Sequence, residues 1–409
     1  MNAYALVILA AILAQNALAL AADLLNLRAL RPELPAGFES VYDPERYRRS
    51  QEYTRVRTRF SFVPQAVDLV LLLGFWFLGG FAWLDGWTRG LGGGPIGTGL
   101  VFIGVLLLAK SLLDLPFRYY STFVIEERFG FNKTTRATFW ADTLKGLAVA
   151  LVLGLPLLAA ILWFFTRLGE SAWLWCWGAT AAFSLFVQFI APTWIFPLFN
   201  KFQPLEEGEL RAAVLEYARK VGFPLEGLFV IDGSRRSTKA NAFFTGFGKR
   251  KRVALFDTLI EKHTTEELVA VVAHEIGHYK KGHILQGIAL SILQAGALFW
   301  LLSLFLTQPG LFAAFGVETP SVHAGLVFFL LLYTPLEVLL SLGMQAFSRR
   351  NEFEADAYAR QTTGAGEPLV RALQRLSADS LSNLTPHPLY VVLHHSHPPL
   401  VERVRALRG

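Results

Sequence analysis

The chain has 409 residues, of which 53% are hydrophobic and only 17% carry a charge. Together with a mean hydropathy of +0.40, this composition excludes an ordinary soluble protein of this size and indicates several membrane helices. The net charge of +6 is explained by contact with the anionic headgroups of a lipid bilayer, so no nucleic acid partner is predicted.

Apolar segments close to the ~20 residues that a helix needs to cross a membrane recur along the chain. There are seven, at residues 4–23, 66–86, 97–117, 146–166, 176–198, 286–307 and 324–345. The first has small residues at 17–23 ("ALALAAD") like a signal peptide, but residues 1–7 lack Lys or Arg. A retained anchor is therefore favoured, and a cleaved signal peptide is the alternative.

Basic residues are concentrated in alternate connecting segments, which predicts the orientation of the chain. Segment 25–65 contains eight arginines, and 118–145 and 200–285 are also basic, whereas 308–322 contains no Lys or Arg. By the positive-inside rule, the N-terminus lies outside and the C-terminus lies in the cytoplasm. The single cysteine, Cys176, lies in an apolar segment, which excludes an intramolecular disulfide bond.

A polar insert separates the fifth apolar segment from the sixth. Its residues 206–221 have helical periodicity, 227–232, 241–247 and 252–257 are typical of short strands, and Thr264 with Glu267 predicts a helix capping box. We predict a membrane domain at 1–199, a cytoplasmic insert at 200–285, two further membrane helices at 286–345 and a cytoplasmic C-terminal part at 346–409.

The segment "VVAHEIGHYKKGH", residues 271–283, has two histidines one helical turn apart. His274 and His278 share one helix face, so both imidazoles can reach one tetrahedral ion, and Glu275 is rotated by about 100° from His274. This pattern predicts that the two histidines bind Zn²⁺. It also predicts that Glu275 removes a proton from the water that attacks a peptide carbonyl. The alternative is a solvated histidine pair.

Catalytic zinc usually has three protein ligands, so a third ligand is expected elsewhere in the chain. His283 faces another way on the helix. In "SRRNEFEADAYAR", residues 348–360, Glu352 and Asp356 lie one turn apart on one face. Taken alone, this stretch is typical of a solvated helix end, but beside an incomplete site Glu352 is the favoured third ligand. Asp356 is then expected to orient a histidine.

Several blocks of sequence together resemble one family. They are "HEIGH", "RRNEFEADAYA", "NAFFTGFGKRKRVALFDTLIE", "YYSTFVIEERFGFNKTT" and the C-terminal "NLTPHPLYVVLHHSHPPLVERVRAL". Taken in their order along the chain, they are similar to the Ste24-type CAAX prenyl proteases, the integral-membrane branch of the M48 zinc peptidases. The resemblance implies an all-α polytopic membrane protein whose seven helices form a barrel-like, water-filled chamber. A small α/β zinc-metalloprotease domain would cap it on the cytoplasmic side.

The resemblance also implies roles for residues outside the two metal-binding segments. Asn241, with Ala242 and Phe243, would belong to an edge strand that aligns a peptide substrate, and His397 would stabilise the developing oxyanion. Arg403 would be a structural partner near the metal. Without the family, Asn241 is typical of a turn, and His394, His395 and His397 are typical of a polar tail.

The implied enzyme is a metalloendopeptidase with one Zn²⁺, acting on a peptide or prenylated protein, in the inner membrane of a bacterium or in the endoplasmic reticulum or inner nuclear membrane of a eukaryote. An HtpX-like quality-control protease and a seven-span transporter or receptor with a regulatory metal are the alternatives. A site-2-type intramembrane protease is disfavoured, because charged residues flank the histidine motif. The oligomeric state stays open, with a monomer as one alternative.

Overall fold

The computed structural model describes residues 1–245 and 251–409. Within these residues, seven helices are long and apolar enough to cross a membrane. The membrane part begins with α1 (Ala3–Arg28), α2 (Pro44–Phe77), α3 (Gly80–Gly90), α4 (Gly94–Tyr120, continued as a π-helix over Ser121–Glu126), α5 (Arg136–Arg167), α6 (Ala172–Ile190, continued as a π-helix over Ala191–Ile195) and α7 (Phe196–Phe199). Mostly helical with a small sheet, the architecture confirms the predicted fold class.

The remaining elements begin with the α/β part and end with short C-terminal helices. They are β1 (Phe202–Pro204), α8 (Glu209–Lys220), β2 (Leu225–Ile231), β3 (Ala242–Thr245), β4 (Lys251–Phe256), α9 (Asp257–Ile260), α10 (Thr265–Lys280), α11 (His283–Phe305), α12 (Pro309–Ala313), α13 (Val322–Thr363), α14 (Glu367–Asp379), α15 (Pro388–His394) and α16 (Leu400–Arg408). Strand β1 was not predicted, and residues 246–247 of the predicted strand 241–247 lie outside the described residues.

The predicted second membrane segment, 66–86, was wrong at its C-terminal end. Helix α2 ends at Phe77, and a new helix begins at Gly80 after Gly79, whose φ of 77° is left-handed. Glycine adopts this conformation without steric cost, so it ends a helix inside a stretch that remains apolar. Much of the arginine-rich segment 25–65 belongs to α2 instead of a loop.

Helix α13 connects the membrane part to the α/β part. It has 42 residues, which corresponds to a length of about 63 Å at the usual rise per residue. Its first half is apolar, and its second half contains "RRNEFEADAYAR". The predicted boundary between 345 and 346 therefore falls within one continuous helix, which places Glu352 in line with the seventh membrane segment.

The described strands form a mixed sheet in the order β1-β2-β4-β3. Strand β2 runs parallel to β4, and β3 runs antiparallel to β4, with Phe243 opposite Ala254. Strand β3 stands at one end of this order, so its outer edge is free of a described strand. The first residue of β3, Ala242, lines the cavity that contains Glu275.

Helix α10 is fixed by its cap and by its apolar face. Thr264 Oγ1 accepts a hydrogen bond from Glu267 N at 3.3 Å, and Thr264 N donates to Glu267 Oε2 at 3.1 Å, which confirms the predicted capping box. Val272 and Ile276 are fully buried in a core shared with β4 and α14. Burial of each such side chain contributes about 1.5–3 kcal/mol, so the helix is held independently of a metal.

Charged side chains within the membrane helices support an aqueous interior. Lys110 Nζ lies 3.1 Å from Asp68 Oδ2 and also pairs with Asp114. The three side chains are 51%, 40% and 37% exposed although they belong to apolar helices. Ions at this depth are stable only against protein or water, so these positions fit helices that surround a water-filled chamber.

Candidate active site

Close contact between α10 and α13 brings the two predicted metal-binding segments together. A Cβ atom built on Gly277 would lie 3.1 Å from both Cα and the carbonyl oxygen of Ala355. The two backbones can approach this closely only because Gly277 has no side chain and Ala355 has a small one. His274 and Glu352, each one turn or less from this contact, consequently face one another.

The predicted ligand atoms of His274, His278 and Glu352 converge on one point. His274 Nε2 lies 3.2 Å from His278 Nε2 and 3.5 Å from Glu352 Oε2, and His278 Nε2 lies 3.3 Å from Glu352 Oε1. Ligands of a tetrahedral Zn²⁺ at 2.0–2.1 Å are about 3.3 Å apart. The spacing, the nitrogen and carboxylate donors and the burial of His274 and Glu352 thus fit zinc.

Asp356 and Arg403 contact His274 and Glu352 on the side away from the candidate metal position. Arg403 donates from Nε to Asp356 Oδ2 at 2.8 Å and from Nη2 to Oδ1 at 2.7 Å. Its Nη1 lies 3.1 Å from Glu352 Oε2, and Asp356 Oδ1 lies 2.9 Å from His274 Nδ1. Burial lowers the pKa of His274, but the Asp356 and Glu352 carboxylates outweigh this effect and raise the pKa to about 9.

His283 supports the second histidine, a role that the sequence reasoning missed. Its Nδ1 lies 3.0 Å from His278 Nδ1, and its Nε2 lies 3.3 Å from Glu354 Oε2. Gly282, with a φ of 74°, reverses the chain between α10 and α11 and returns His283 to the site. The Gly-His pair directly after the motif helix was the available signal. A contact to an imidazole nitrogen fixes its orientation and tautomer.

Glu275 faces a cavity of 510 Å³ together with His274 and residues 240–242. Burial raises the pKa of the Glu275 carboxyl, and the His274 and His278 imidazoles oppose that rise. A carboxylate whose pKa is moved towards neutrality is a stronger base, which suits proton removal from water.

His397 approaches the site from the C-terminal segment. Its Nε2 lies 3.3 Å from Glu352 Oε1, and its side chain is 62% exposed towards the cavity. Partial burial lowers the pKa of His397, and the nearby Glu352 carboxylate opposes that shift. Arg349 Nη1 donates to His395 O at 2.8 Å and holds this segment in place.

Ala242 and Phe243 begin β3, whereas Asn241, predicted as part of the strand, directly precedes it. Asn241 is exposed, its Oδ1 accepts a hydrogen bond from Ala242 N at 2.9 Å, and its carbonyl accepts one from Phe256 N. Asn241 and Ala242 line the cavity that contains Glu275. All the residues predicted for the site are therefore within or next to one cavity, with Asp356 buried behind it.

Comparisons with known proteins extend over nearly the whole chain. Residues 23–201 match the model of the CAAX prenyl protease N-terminal region with five membrane helices, and residues 204–409 match that of peptidase family M48. The chain belongs to peptidase family M48. It is a membrane zinc metalloprotease, which excludes the alternative of a transporter or receptor.

Relatives in this family are similar along most of their length. The chain is 40% identical to CAAX prenyl protease 1 homolog of Arabidopsis thaliana, covering 95% of this chain and 93% of the relative. It is 33% identical to the Homo sapiens homolog, covering 92% and 88%. The crystal structure of S. mikatae Ste24p superposes with a TM-score of 0.95 at 34% identity and covers all of both chains.

Proposed function

We propose that this M48 protease cleaves peptides that end in a cysteine and three further residues, on the carboxyl side of an isoprenylated cysteine. The names of its relatives suggest this substrate. The observation that carries it is the order of cavities along β3. Residues 240–242 line the cavity that contains Glu275, and Phe243 and Phe244 line a neighbouring apolar groove.

The substrate binds as an additional strand on the free edge of β3. Ala242 and Phe243 begin this strand, and Asn241 directly before it lines the catalytic cavity together with Ala242. Addition of a strand supplies backbone hydrogen bonds that are independent of the substrate sequence, and it sets the reacting carbonyl at a fixed depth. Side chains of the peptide then alternate between the sheet and the cavity.

The isoprenyl chain occupies the apolar groove, which has a volume of 1120 Å³. Phe196, Phe199 and Phe243 line it, and Leu285, at the start of α11, is 68% exposed there. Transfer of an apolar chain from water to such a surface is favourable by about 25 cal/mol per Å². Phe243 and Phe244 also line a smaller cavity together with Glu275, which itself lines the catalytic cavity. A lipid attached to the cysteine reaches the groove through this space in the proposal.

His274, His278 and Glu352 hold one Zn²⁺, which acts as a Lewis acid and makes water a stronger nucleophile when bound. Glu275 takes the proton from the attacking water and delivers it to the leaving amine. His397 donates a hydrogen bond to the oxygen that becomes negative. Asp356 and Arg403 orient His274 and Glu352 through the contacts described above.

The catalytic part faces the cytoplasm in this proposal, with the N-terminus on the other side. The support is the alternation of basic and uncharged connecting segments. The membrane is then the inner membrane in a bacterium, or the endoplasmic reticulum or inner nuclear membrane in a eukaryote. The test is labelling of an exposed cysteine, introduced as Glu207→Cys, in sealed, right-side-out vesicles. We expect no labelling from outside; labelling from outside would place the catalytic part on the other side of the membrane and contradict the proposal.

The activity is tested by incubating the purified protein with two peptides, one with a farnesylated cysteine and one with a free cysteine. We expect wild type to cleave the farnesylated peptide, and Glu275→Gln to be about 10²–10⁴-fold slower with zinc retained. Glu266→Gln, an exposed change on the same helix, is the control and retains activity. Equal cleavage of both peptides would favour an HtpX-like protease, and no cleavage by zinc-loaded wild type would refute the proposal.

A further inference from the structure

A second, polar cavity adjoins the catalytic one. It has a volume of 420 Å³ and is lined by residues of α1, α2 and α15, by Lys239 and by the segment 380–383. Ser380, Ser382, Asn383 and His395 line both cavities, so the two spaces adjoin one another along these residues. The mechanism described above uses none of the charged residues of this second cavity.

Two cations face the second cavity, and their partners differ. Lys239 Nζ lies 2.7 Å from both Glu126 Oε2 and Tyr53 Oη, so a carboxylate already neutralises its charge. Arg57, in contrast, has in the described part of the chain only the neutral Tyr53 Oη as a hydrogen-bond partner, at 3.4 Å, and is exposed. Its guanidinium fork is therefore available to an anion with two oxygens.

The other charged group of the lining is Asp23. It is only 6% exposed, and Gln65 Nε2 lies 3.4 Å from its Oδ2. Asp23 therefore presents little surface to the cavity, whereas Arg57 is exposed to it. The hydroxyl of Ser382 and the amide of Asn383 add neutral donors to the lining.

The segment 380–383, which contributes to the lining of both cavities, has an unusual backbone conformation. Leu381 has a φ of 51°, the left-handed region that a leucine seldom adopts, and its side chain is buried with Tyr53, Phe129 and Phe131. Its neighbours Ser380 and Ser382 are joined by a contact of 2.8 Å between their Oγ atoms. Strain of this kind persists where packing enforces it and is concentrated at functional sites.

The order of the cavities fixes the direction of a bound peptide. From Lys239 to Phe244, the chain passes the polar cavity, then the catalytic cavity, then the apolar groove. A peptide with its lipidated cysteine at Phe243 and Phe244 thus runs antiparallel to β3, and its C-terminus points towards Lys239. Three extended residues beyond the cleaved bond span about 10 Å, which brings the chain end to the next cavity.

We propose that Arg57 binds the C-terminal carboxylate of the peptide substrate in this second cavity, with Ser382 and Asn383 as additional donors. The inference rests on the proposed function and deepens it. Lys239, paired with Glu126, fixes the wall beside Arg57. The ion pair between Arg57 and a free carboxylate selects peptides that end three residues after the cleaved bond. The position of the cleaved bond is then set by its distance from the peptide C-terminus.

This site is tested by comparing the cleavage of two farnesylated peptides of the same sequence. One has a free C-terminal carboxylate and the other has a C-terminal amide. We expect wild type to prefer the free acid by about 10–100-fold in kcat/KM, the usual range for a charge-assisted hydrogen bond. Arg57→Gln should lose this preference through a higher KM for the acid, with cleavage of the amide unchanged. Arg57→Lys should restore part of the preference.

The unchanged cleavage of the amide shows that Arg57→Gln is folded and loaded with zinc. Arg59→Gln, an exposed change on the same helix, is the matched control and keeps the full preference. Equal cleavage of acid and amide by wild type would overturn the carboxylate site and leave the proposed function intact. A failure to cleave either farnesylated peptide would instead remove the proposed function.

Discussion

Arg403 donates two hydrogen bonds to the carboxylate of Asp356, and a third nitrogen of the same guanidinium lies 3.1 Å from Glu352 Oε2. Arg403 is 7% exposed and Asp356 is 2% exposed. The pair is therefore screened little by water. It connects the C-terminal helix α16 with two carboxylates on α13, one of them a candidate zinc ligand.

The first prediction concerns the planar fork of Arg403. Arg403→Lys keeps the charge but loses the two-point contact, so Asp356 no longer fixes His274. We expect zinc affinity to fall about 10–100-fold, measured by competition with a chromophoric chelator. Arg405→Lys, an exposed change on the same helix, should leave the affinity unchanged. Equal affinity of both variants would show that Arg403 does not act on the metal site.

The second prediction separates His397 from its neighbours. His397→Ala should lower kcat about 10²–10³-fold, because a donor to the developing oxyanion is lost. Zinc content should stay at the wild-type level, since His274, His278 and Glu352 are unchanged. His394→Ala provides the matched control in the same segment and should keep most of the activity. Loss of zinc in His397→Ala would instead assign the residue to the metal site.

The metal-binding helix was predictable because its determinants are local. The capping box and the two histidines lie within one helix, and the spacing alone places His274 and His278 on one face. Glu352 followed from the need for a third ligand. His283, Arg349 and Arg57 were not assigned roles, because their partners are remote in sequence and depend on how α2, α11 and α13 pack.

The boundary errors have a different cause. Hydropathy does not distinguish one long apolar helix from two helices joined at Gly79, since apolar residues flank Gly79 on both sides. The prediction also ended the seventh segment where polar residues begin, although α13 continues for another 18 residues after residue 345. A helix continues through such a change wherever its polar half is packed against a domain, and here that domain contains the active site.

The third prediction tests the contact of α10 with α13. Gly277→Ala forces a Cβ to within 3.1 Å of the Ala355 backbone, which cannot rotate away. Such overpacking typically costs about 1–3 kcal/mol. We expect lower thermal stability and weaker zinc binding, because His274 moves away from Glu352. In Gly343→Ala, on α13, the new Cβ has no neighbour within 4 Å, and this variant should behave as wild type.

The fourth prediction concerns removal of the metal. Exhaustive chelation should abolish activity but leave the helical content unchanged, since α10 is held by its cap and by the apolar core. The thermal midpoint should fall, because a ligand at 1,000 times its Kd stabilises the folded state by about 4 kcal/mol. Circular dichroism and a thermal scan before and after readdition of Zn²⁺ measure both effects. Loss of helical content on chelation would contradict this account.

The fifth prediction is a pH dependence of stability at Tyr42, which lies far from the metal ligands in sequence. Its side chain is 2% exposed, and its Oη lies 3.2 Å from Ser377 Oγ. Burial raises the pKa of Tyr42 to about 12, whereas the unfolded chain titrates near 10. Between these two pKa values, the Tyr42 hydroxyl is therefore still neutral in the folded state, whereas it has lost its proton in the unfolded state.

The sign follows from this difference in pKa. Below pH 10 the contribution of Tyr42 to the free energy of unfolding is fully present, and it is lost as the pH rises towards 12. By pH 11 the loss is about 1.4 kcal/mol. Burial raises the pKa of Tyr217 similarly, so the measurement is the difference between wild type and Tyr42→Phe. Between pH 9 and pH 11, the thermal midpoint of Tyr42→Phe should fall less than that of wild type; parallel curves would show that Tyr42 ionises as readily in the folded state as in the unfolded one.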